Sequence, residues 1–187
     1  VLEKKVLIID ADPQANTTSG LNFSPDNDQK RTLYEVMIGK IDISDTLIQT
    51  EIAGLHMIPS HINLVGAEIE MLESDNRESV LKNALASIRD NYDYIIIDSV
   101  PAMSVADAII TDRLVDLAIY VVRRGNLDRR QLPDIEQLYT SGKLHNMCVV
   151  LNGTTYSKHS YSYSYDIYDD KSGIERGWNR IRGIFKK

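Results

Sequence analysis

Two runs of β-branched and leucine residues end on a carboxylate, and they limit most strongly what this chain can fold into. They are Lys4–Asp10 (KKVLIID) and Tyr94–Asp98 (YIIID). Continuous apolar runs of this length are typical of strands buried in a parallel sheet. Three further strand-like segments alternate with stretches of helical spacing: Leu55–Pro59, Leu117–Val122 and Met147–Leu151. The alternation predicts an α/β fold, with a mostly parallel sheet and helices on both of its faces.

Composition excludes several classes of protein. The 187 residues are 43% hydrophobic and 26% charged, as in soluble globular domains. The apolar runs are far shorter than the ~18 residues that a membrane span needs. A single cysteine, Cys148, cannot form an internal disulfide, and the four histidines lack zinc-ligand spacing. We therefore expect a protein of a reducing compartment, the cytoplasm, without a zinc site.

Charge is distributed unevenly along the chain. The net charge is −6, which does not favour attraction to DNA by the overall field. The acidic stretch 68–78 also argues against a surface that follows phosphates. Residues 173–187, in contrast, hold five basic residues against one glutamate and carry apolar residues at helical spacing. This segment is predicted either to bind an anionic membrane surface or to dock on its own domain.

Three acidic residues mark the candidate site. In open α/β sheets the ligand lies beyond the carboxyl ends of the strands, and Asp10, Asp12 and Asp98 follow two predicted strands there. One carboxylate at such a place can hold Mg²⁺, and another can orient a water for attack on a phosphoryl group. An aspartate after a strand is also a common turn or capping residue, so both interpretations stay open.

The first half of the chain resembles a known family. Residues 1–98 are similar to the ParA/MinD class of deviant P-loop ATPases, in particular those that partition chromosomes and plasmids. Three phrases carry the resemblance: KKVLIIDADPQANTTSGL (Lys4–Leu21), LHMIPSHINLVGAEIE (Leu55–Glu70) and IRDNYDYIIID (Ile88–Asp98). The resemblance implies a P-loop NTPase-like fold with ATP and Mg²⁺ as cofactors.

The same resemblance implies a role for each acidic residue. Asp12, in DADPQ, matches the acid that positions the hydrolytic water, and Asp10 would lie beside the metal. Asp98 matches the Walker B acid, which would make Asp98 and Asp10 the metal-site residues. Asp12 and Asp10 are accordingly the candidate catalytic residues.

The second half resembles a different family. Asp93–Tyr165 is similar to the bacterial tyrosine kinases of capsule and exopolysaccharide export, through VVRRGNLDRRQLPDIEQLYTSGKLHNMCVVLNGTTY (Val121–Tyr156). The resemblance implies that Asn152 faces the adenine and that Arg123 and Arg124 lie in a loop near the nucleotide. It also implies phospho-acceptor tyrosines beyond this segment. These are Tyr156, Tyr161, Tyr163, Tyr165 and Tyr168.

Both resemblances meet at the YIIID strand, and a natural divergent protein, an engineered chimera and a misassembled sequence stay open as explanations. The tyrosine cluster has a second interpretation as an aromatic, low-complexity tail without phosphate chemistry. We predict three regions: an ATPase-like α/β domain over 1–155, a tyrosine-rich tail over 156–172 and a basic amphipathic segment over 173–187.

These 187 residues contain no Gly-rich loop ending in Gly-Lys-Ser/Thr, the Walker A motif that both families use to hold phosphates. The pairs Gly39-Lys40 and Gly142-Lys143 are followed by Ile and Leu. We therefore expect an α/β domain lacking its first strand and P-loop, with weak binding of Mg-ATP and negligible hydrolysis by this chain alone. By analogy the missing strand would lie beside YIIID, so its loss exposes apolar strand edges. Self-association, or a second chain that supplies the loop, would cover them.

Three functions remain open from the sequence. The first is an ATPase or kinase module that transfers phosphate from Mg-ATP and phosphorylates its own tyrosines. The second is a non-catalytic scaffold or phospho-acceptor. The third is a chromosome- or plasmid-partitioning ATPase, although the −6 net charge makes DNA a poor partner. The expected location is the cytoplasm, at the inner face of the plasma membrane if the basic segment binds lipid.

Overall fold

A computed structural model describes residues 3–24, 31–71, 79–100, 114–144 and 146–154. The five candidate phospho-acceptor tyrosines and the basic segment 173–187 lie outside these residues. The chain divides into two compact units, residues 1–114 and 115–187, and each is described by itself. Within the described ranges, no helix combines the length and apolar character needed to cross a bilayer.

The first unit alternates strands with short helices. Two 3₁₀ turns, Ile43–Thr46 and Arg89–Asn91, interrupt the series. Its strands are β1 (Val6–Ala11), β2 (Ile48–Gln49), β3 (Leu55–Ile58) and β4 (Tyr94–Ser99). Its helices are α1 (Asn16–Gly20), α2 (Leu33–Met37), α3 (Leu64–Glu70) and α4 (Val80–Leu85).

The strands of the first unit form one sheet in the order β2-β3-β1-β4. β1 runs parallel to both of its neighbours, and only the two-residue β2 is antiparallel. Leu7 and Ile9 of β1 are fully buried against a cluster that includes Leu33 and Val36 of α2. The predicted α/β fold with a mostly parallel sheet is therefore confirmed.

An ion pair fixes the amino-terminal ends of β1 and β4. Nζ of Lys4 lies 2.7 Å from Oδ1 of Asp93, and the N–H of Lys5 donates to Oδ2 of Asp93 at 2.8 Å. The hydrogen bond from Lys4 lowers the pKa of the Asp93 carboxyl below its ordinary value. In this register Asp10 lies directly beside Asp98 at the other end of the two strands.

The described residues of the second unit, 115–144 and 146–154, form two parallel strands and one helix. They are β5 (Ala118–Arg123), α5 (Leu132–Thr140) and β6 (Met147–Asn152), with a 3₁₀ turn at Arg129–Gln131 before α5. Ile135 of α5 is fully buried and packs with Val122 and Leu132. Proline at the start of α5 suits the first helical turn, where its missing N–H has no intrahelical partner.

Apolar side chains are exposed on one face of β4 and on one face of β5. Tyr94 and Ile96 of β4 are 59% and 51% exposed, and Ile119 and Val121 of β5 are each 59% exposed. Among the described strands, β4 pairs only with β1 and β5 only with β6. This exposure lies on a face of each strand, and the expectation that a missing neighbouring strand leaves apolar strand edges open stays a prediction.

Two local structures differ from what their residue types suggest. Residues Asp12–Gly20 are dense in turn-forming types, yet they contain α1, because the buried Asp10 carboxylate accepts hydrogen bonds that hold this helix. Ser44 is by residue type a plausible helix N-cap, but Asp42 takes that place, and its Oδ1 accepts from the N–H of Ser44 at 2.9 Å.

Candidate functional site

Asp10 is the buried centre of the candidate site. Its Oδ2 accepts hydrogen bonds from the N–H of Thr18 at 2.8 Å and from the Thr18 hydroxyl at 2.6 Å. Its Oδ1 accepts from the N–H of Asp12 at 3.2 Å. The side chain is fully buried, so these bonds compensate the loss of hydration of the carboxyl group. Asp10 thus fastens the following loop and helix to the end of β1.

Asp98 lies next to Asp10 in the register of β1 and β4, but its side chain is exposed. Oδ2 of Asp98 accepts a hydrogen bond of 2.5 Å from the hydroxyl of Thr17, the second residue of α1. Of the two paired carboxylates, Asp98 is therefore the one that solvent and a ligand can reach.

Asp12 lies in the loop between β1 and α1 and is half-buried. Its Oδ1 accepts from the N–H of Gln14 at 2.9 Å, and its carbonyl oxygen accepts from the N–H of Ala15 at 2.9 Å. Ala15 then adopts a left-handed conformation, with φ of 52°, before α1 begins. These bonds make the loop a tight turn that holds Asp12 at the same sheet edge as Asp10.

Three residues that the sequence did not single out belong to this cluster. Thr17 and Thr18 contact the acids as described, and the hydroxyl of Thr18 also accepts from the N–H of Ser60 at 2.9 Å. Ser60 follows β3 and is fully buried, and its own hydroxyl has no hydrogen-bond partner among the described residues. Adjacent threonines after a strand that ends on aspartate were the only signal available in the sequence.

The donor set suits a hard cation. Within the described part of the chain, no three His, Cys, Asp or Glu side chains converge as a preformed metal cage. Mg²⁺ does not need one, because it usually takes one or two carboxylates and completes its shell with waters and substrate phosphates. The exposed carboxylate of Asp98 fits that requirement. Both oxygens of Asp10 already accept hydrogen bonds from the protein.

The nucleotide-contacting residues predicted in the second unit meet at the carboxyl end of β5 and β6. Arg123 lies beside Asn152 in the register, and the N–H of Arg124 donates to the carbonyl oxygen of Asn152 at 2.9 Å. The side-chain oxygen of Asn152 accepts from the N–H of Gly153 at 2.7 Å. Both arginines are exposed. Their contact with a nucleotide, and that of Asn152, stays a prediction.

The sequence of this chain also matches a known family. Residues 1–139 match the AAA domain family AAA_31. The chain belongs to this family. Two curated relatives of this chain are named as a sporulation inhibitor and a chromosome partitioning protein. The sporulation initiation inhibitor protein Soj of Bacillus subtilis is 42% identical over 100 residues, covering 54% of this chain and 39% of Soj. The chromosome partitioning protein ParA of Myxococcus xanthus is 31% identical over 186 residues, covering 99% of this chain and 62% of ParA. This chain thus spans less than two thirds of the length of these relatives.

Solved structures show the same fold. Cobyrinic acid a,c-diamide synthase from Mycobacterium smegmatis, with bound ATP analog and magnesium, matches 98% of this chain and 71% of its own at a TM-score of 0.70 and 23% identity. The kinase domain of the Escherichia coli tyrosine kinase ETK matches 87% of this chain and 61% of its own, at a TM-score of 0.64 and 23% sequence identity. The expected ParA-type and kinase-like resemblances are confirmed, the second as a likeness of fold.

Proposed function

We propose that this chain is the Mg-nucleotide-binding part of a ParA-type partitioning ATPase. The observation that carries the proposal is the pairing of Asp10 and Asp98 at the carboxyl ends of adjacent parallel strands, with Asp12 in the loop that follows Asp10. This edge is where open α/β sheets bind their ligands. The similarity to Soj and ParA favours partitioning as the process that the ATPase serves.

Each acid takes a distinct part in this proposal. The exposed Asp98 would hold Mg²⁺, and the bound ion would supply positive charge to stabilise the phosphate groups of a nucleotide. Asp12 would orient the attacking water, a role that the resemblance of DADPQ implies and that its half-buried position in the turn after β1 is compatible with. The buried Asp10 lies beside the metal and keeps the Asp12 loop and α1 in place through its three accepted hydrogen bonds.

Hydrolysis by these 187 residues is slow in this proposal. Phosphoryl transfer depends mostly on positioning and on stabilisation of charge. The sequence has no Gly-Lys-Ser/Thr loop to supply the backbone N–H groups and the lysine that grip the phosphates. A second chain or a further segment that carries this loop would restore turnover.

Titration with a fluorescent ATP analogue, with and without Mg²⁺, tests the proposal. Wild-type chain should bind the analogue in a metal-dependent way, and Asp98→Asn should abolish the metal dependence. Asp90→Asn is the matched control, because the side chain of Asp90 is 97% exposed and the ion pair that it forms among the described residues is with Arg89, at 3.8 Å. Absence of binding at millimolar nucleotide, or equal metal dependence in both variants, would contradict the proposal.

Phosphorylation of the chain's own tyrosines is the second candidate function. Half of the ten tyrosines lie between residues 156 and 168, and the fold resembles the ETK kinase domain. Radiolabelled ATP separates the alternatives. Self-labelling on tyrosine supports kinase activity, whereas labelling only after addition of another kinase supports a phospho-acceptor or scaffold.

Lipid contact through residues 173–187 would place the chain at the inner face of the plasma membrane. The proposal depends on the excess of basic residues and on the apolar stripe Ile174, Trp178, Ile181 and Phe185. Sedimentation with anionic liposomes, with and without this segment, tests it. Equal binding of both forms would refute it.

DNA is proposed to bind weakly to this chain, because the net charge is −6. A gel shift at physiological salt tests this expectation. A tight complex would instead support direct DNA binding by a partitioning ATPase.

A further inference from the structure

Two adjacent threonines bond α1 to the carboxyl ends of the three parallel strands that the structure describes in the first unit. Thr18 bonds to Asp10 at the end of β1 and to Ser60 just after β3, and Thr17 bonds to Asp98 on β4. In sequence, Thr17 and Asp98 are 81 residues apart. The short helix therefore joins three separate parts of the chain at the candidate site.

Thr18 carries the buried part of this connection. Its side chain is 1% exposed, and its hydroxyl both donates to Asp10 at 2.6 Å and accepts from the N–H of Ser60 at 2.9 Å. A five-residue helix is not stable by itself in water, since isolated helices shorter than about 12–15 residues are marginal. The position of α1 therefore depends on these tertiary hydrogen bonds.

Thr17 carries the exposed part. Its hydroxyl donates to one oxygen of Asp98, Oδ2. A hydrogen bond to one oxygen restricts rotation of the carboxylate about its last bond, and among the described residues it leaves Oδ1 for a cation. Thr17 can hold this geometry only while Thr18 keeps α1 against β1 and Ser60.

We propose that Thr17 is the positioning residue of Asp98: its hydroxyl orients the carboxylate for a divalent cation, and Thr18 holds Thr17 in place. The proposal rests on the proposed function, because it takes Asp98 as the cation ligand. Neither threonine is a catalytic residue in this account. Each acts on the cation through the position of an acid.

Binding of Mn²⁺ alone, followed by the electron paramagnetic resonance signal of the free ion, tests the proposal on the full chain. Thr17→Val should weaken Mn²⁺ binding by roughly 2- to 10-fold, the range expected for one net hydrogen bond. Thr17→Ser keeps the hydroxyl and should bind as wild type does. The melting temperature of both variants should stay unchanged, because the bond to Asp98 is exposed.

Thr18→Val should lower both the Mn²⁺ affinity and the melting temperature, and Thr18→Ser should restore both. Thr46→Val is the matched control, because Thr46 is also buried and its hydroxyl donates to the carbonyl of Ile43 at 2.6 Å. This control should lower the melting temperature without a change in Mn²⁺ affinity.

Three results would overturn the proposal: unchanged affinity in Thr17→Val, equal losses in Thr17→Val and Thr17→Ser, or wild-type Mn²⁺ binding that Asp98→Asn does not weaken. Failure of the proposed function looks different. In that case Mn²⁺ binding follows the predicted pattern of variants, but the fluorescent ATP analogue does not bind.

Discussion

Replacement of Asp10 should destabilise the first unit in a graded way. Asp10→Ala leaves two buried donors of Thr18, its N–H and its hydroxyl, without their acceptor. A hydrogen bond to a charged group contributes about 2 kcal/mol, so the loss of these two buried bonds costs about 4 kcal/mol. The longer, part-buried bond from the N–H of Asp12 to Oδ1 is lost in both variants and does not affect the difference between them. Asp10→Asn can place its amide oxygen at the Oδ2 position and keep both bonds as neutral ones of about 1 kcal/mol each. Its expected loss is therefore about 2 kcal/mol.

Urea unfolding monitored by circular dichroism measures both losses, with Asp90→Ala as an exposed control that should show no change. For a chain of this size each 1 kcal/mol corresponds to about 2–4 °C in melting temperature, which gives a second measure. The reasoning is refuted if Asp10→Ala costs less than about 1 kcal/mol, or if Asn and Ala are equally destabilising. Either result would mean that the bonds to Thr18 do not hold α1 on the sheet.

Three further predictions concern other parts of the chain. The hydrogen bond from Lys4 lowers the pKa of the Asp93 carboxyl in the folded protein. Ionised Asp93 therefore stabilises the fold at pH values above about 3.9, the ordinary pKa of an aspartate. This stabilisation is lost as the pH falls through and below that value. Asp93→Asn should therefore flatten the fall in urea midpoint between about pH 5 and pH 3, and a fall as steep as in wild type would contradict this. Ser60→Ala should leave the free energy of unfolding unchanged or raise it by up to about 1 kcal/mol, because the buried hydroxyl has no hydrogen-bond partner among the residues that the structure describes. A loss above about 1 kcal/mol in urea unfolding would show that it has a partner. Ile135→Ala should cost about 2–5 kcal/mol in the second unit, whereas Ile119→Ala, at an exposed position, should stay within about 0.5 kcal/mol. Equal costs in urea unfolding would refute the packing described for α5.

The strands were predictable because their signal is local. β1 and β4 are apolar runs that end on aspartate, and the pattern alone predicted parallel strands with acids at their ends. The burial predicted for both is found in β1, whereas the prediction is wrong for β4, in which exposed and half-buried residues alternate. The helix α1 was not predictable in the same way. Its sequence, NTTSG, consists of residues that favour turns, and it is helical because Thr18 bonds to a carboxylate eight residues earlier.

The residues of the candidate site also differ in whether local sequence could predict them. Asp10, Asp12 and Asp98 follow strands and could be named from the sequence. Thr17 and Ser60 could not, because their partners are 81 and 42 residues away along the chain. The N-cap at Asp42 was missed for a smaller reason: aspartate and serine are nearly equal as caps, so neighbouring candidates cannot be ranked from sequence.

Hydrogen exchange tests most directly whether the nucleotide binds at the carboxyl end of β1 and β4. Exchange would be followed by mass spectrometry with and without Mg²⁺ and a non-hydrolysable ATP analogue, at nucleotide concentrations that saturate the fluorescent titration. The account predicts slower exchange in residues 11–20 and 98–100, and loss of that protection in Asp98→Asn. Bound nucleotide that leaves exchange in both segments unchanged would contradict it.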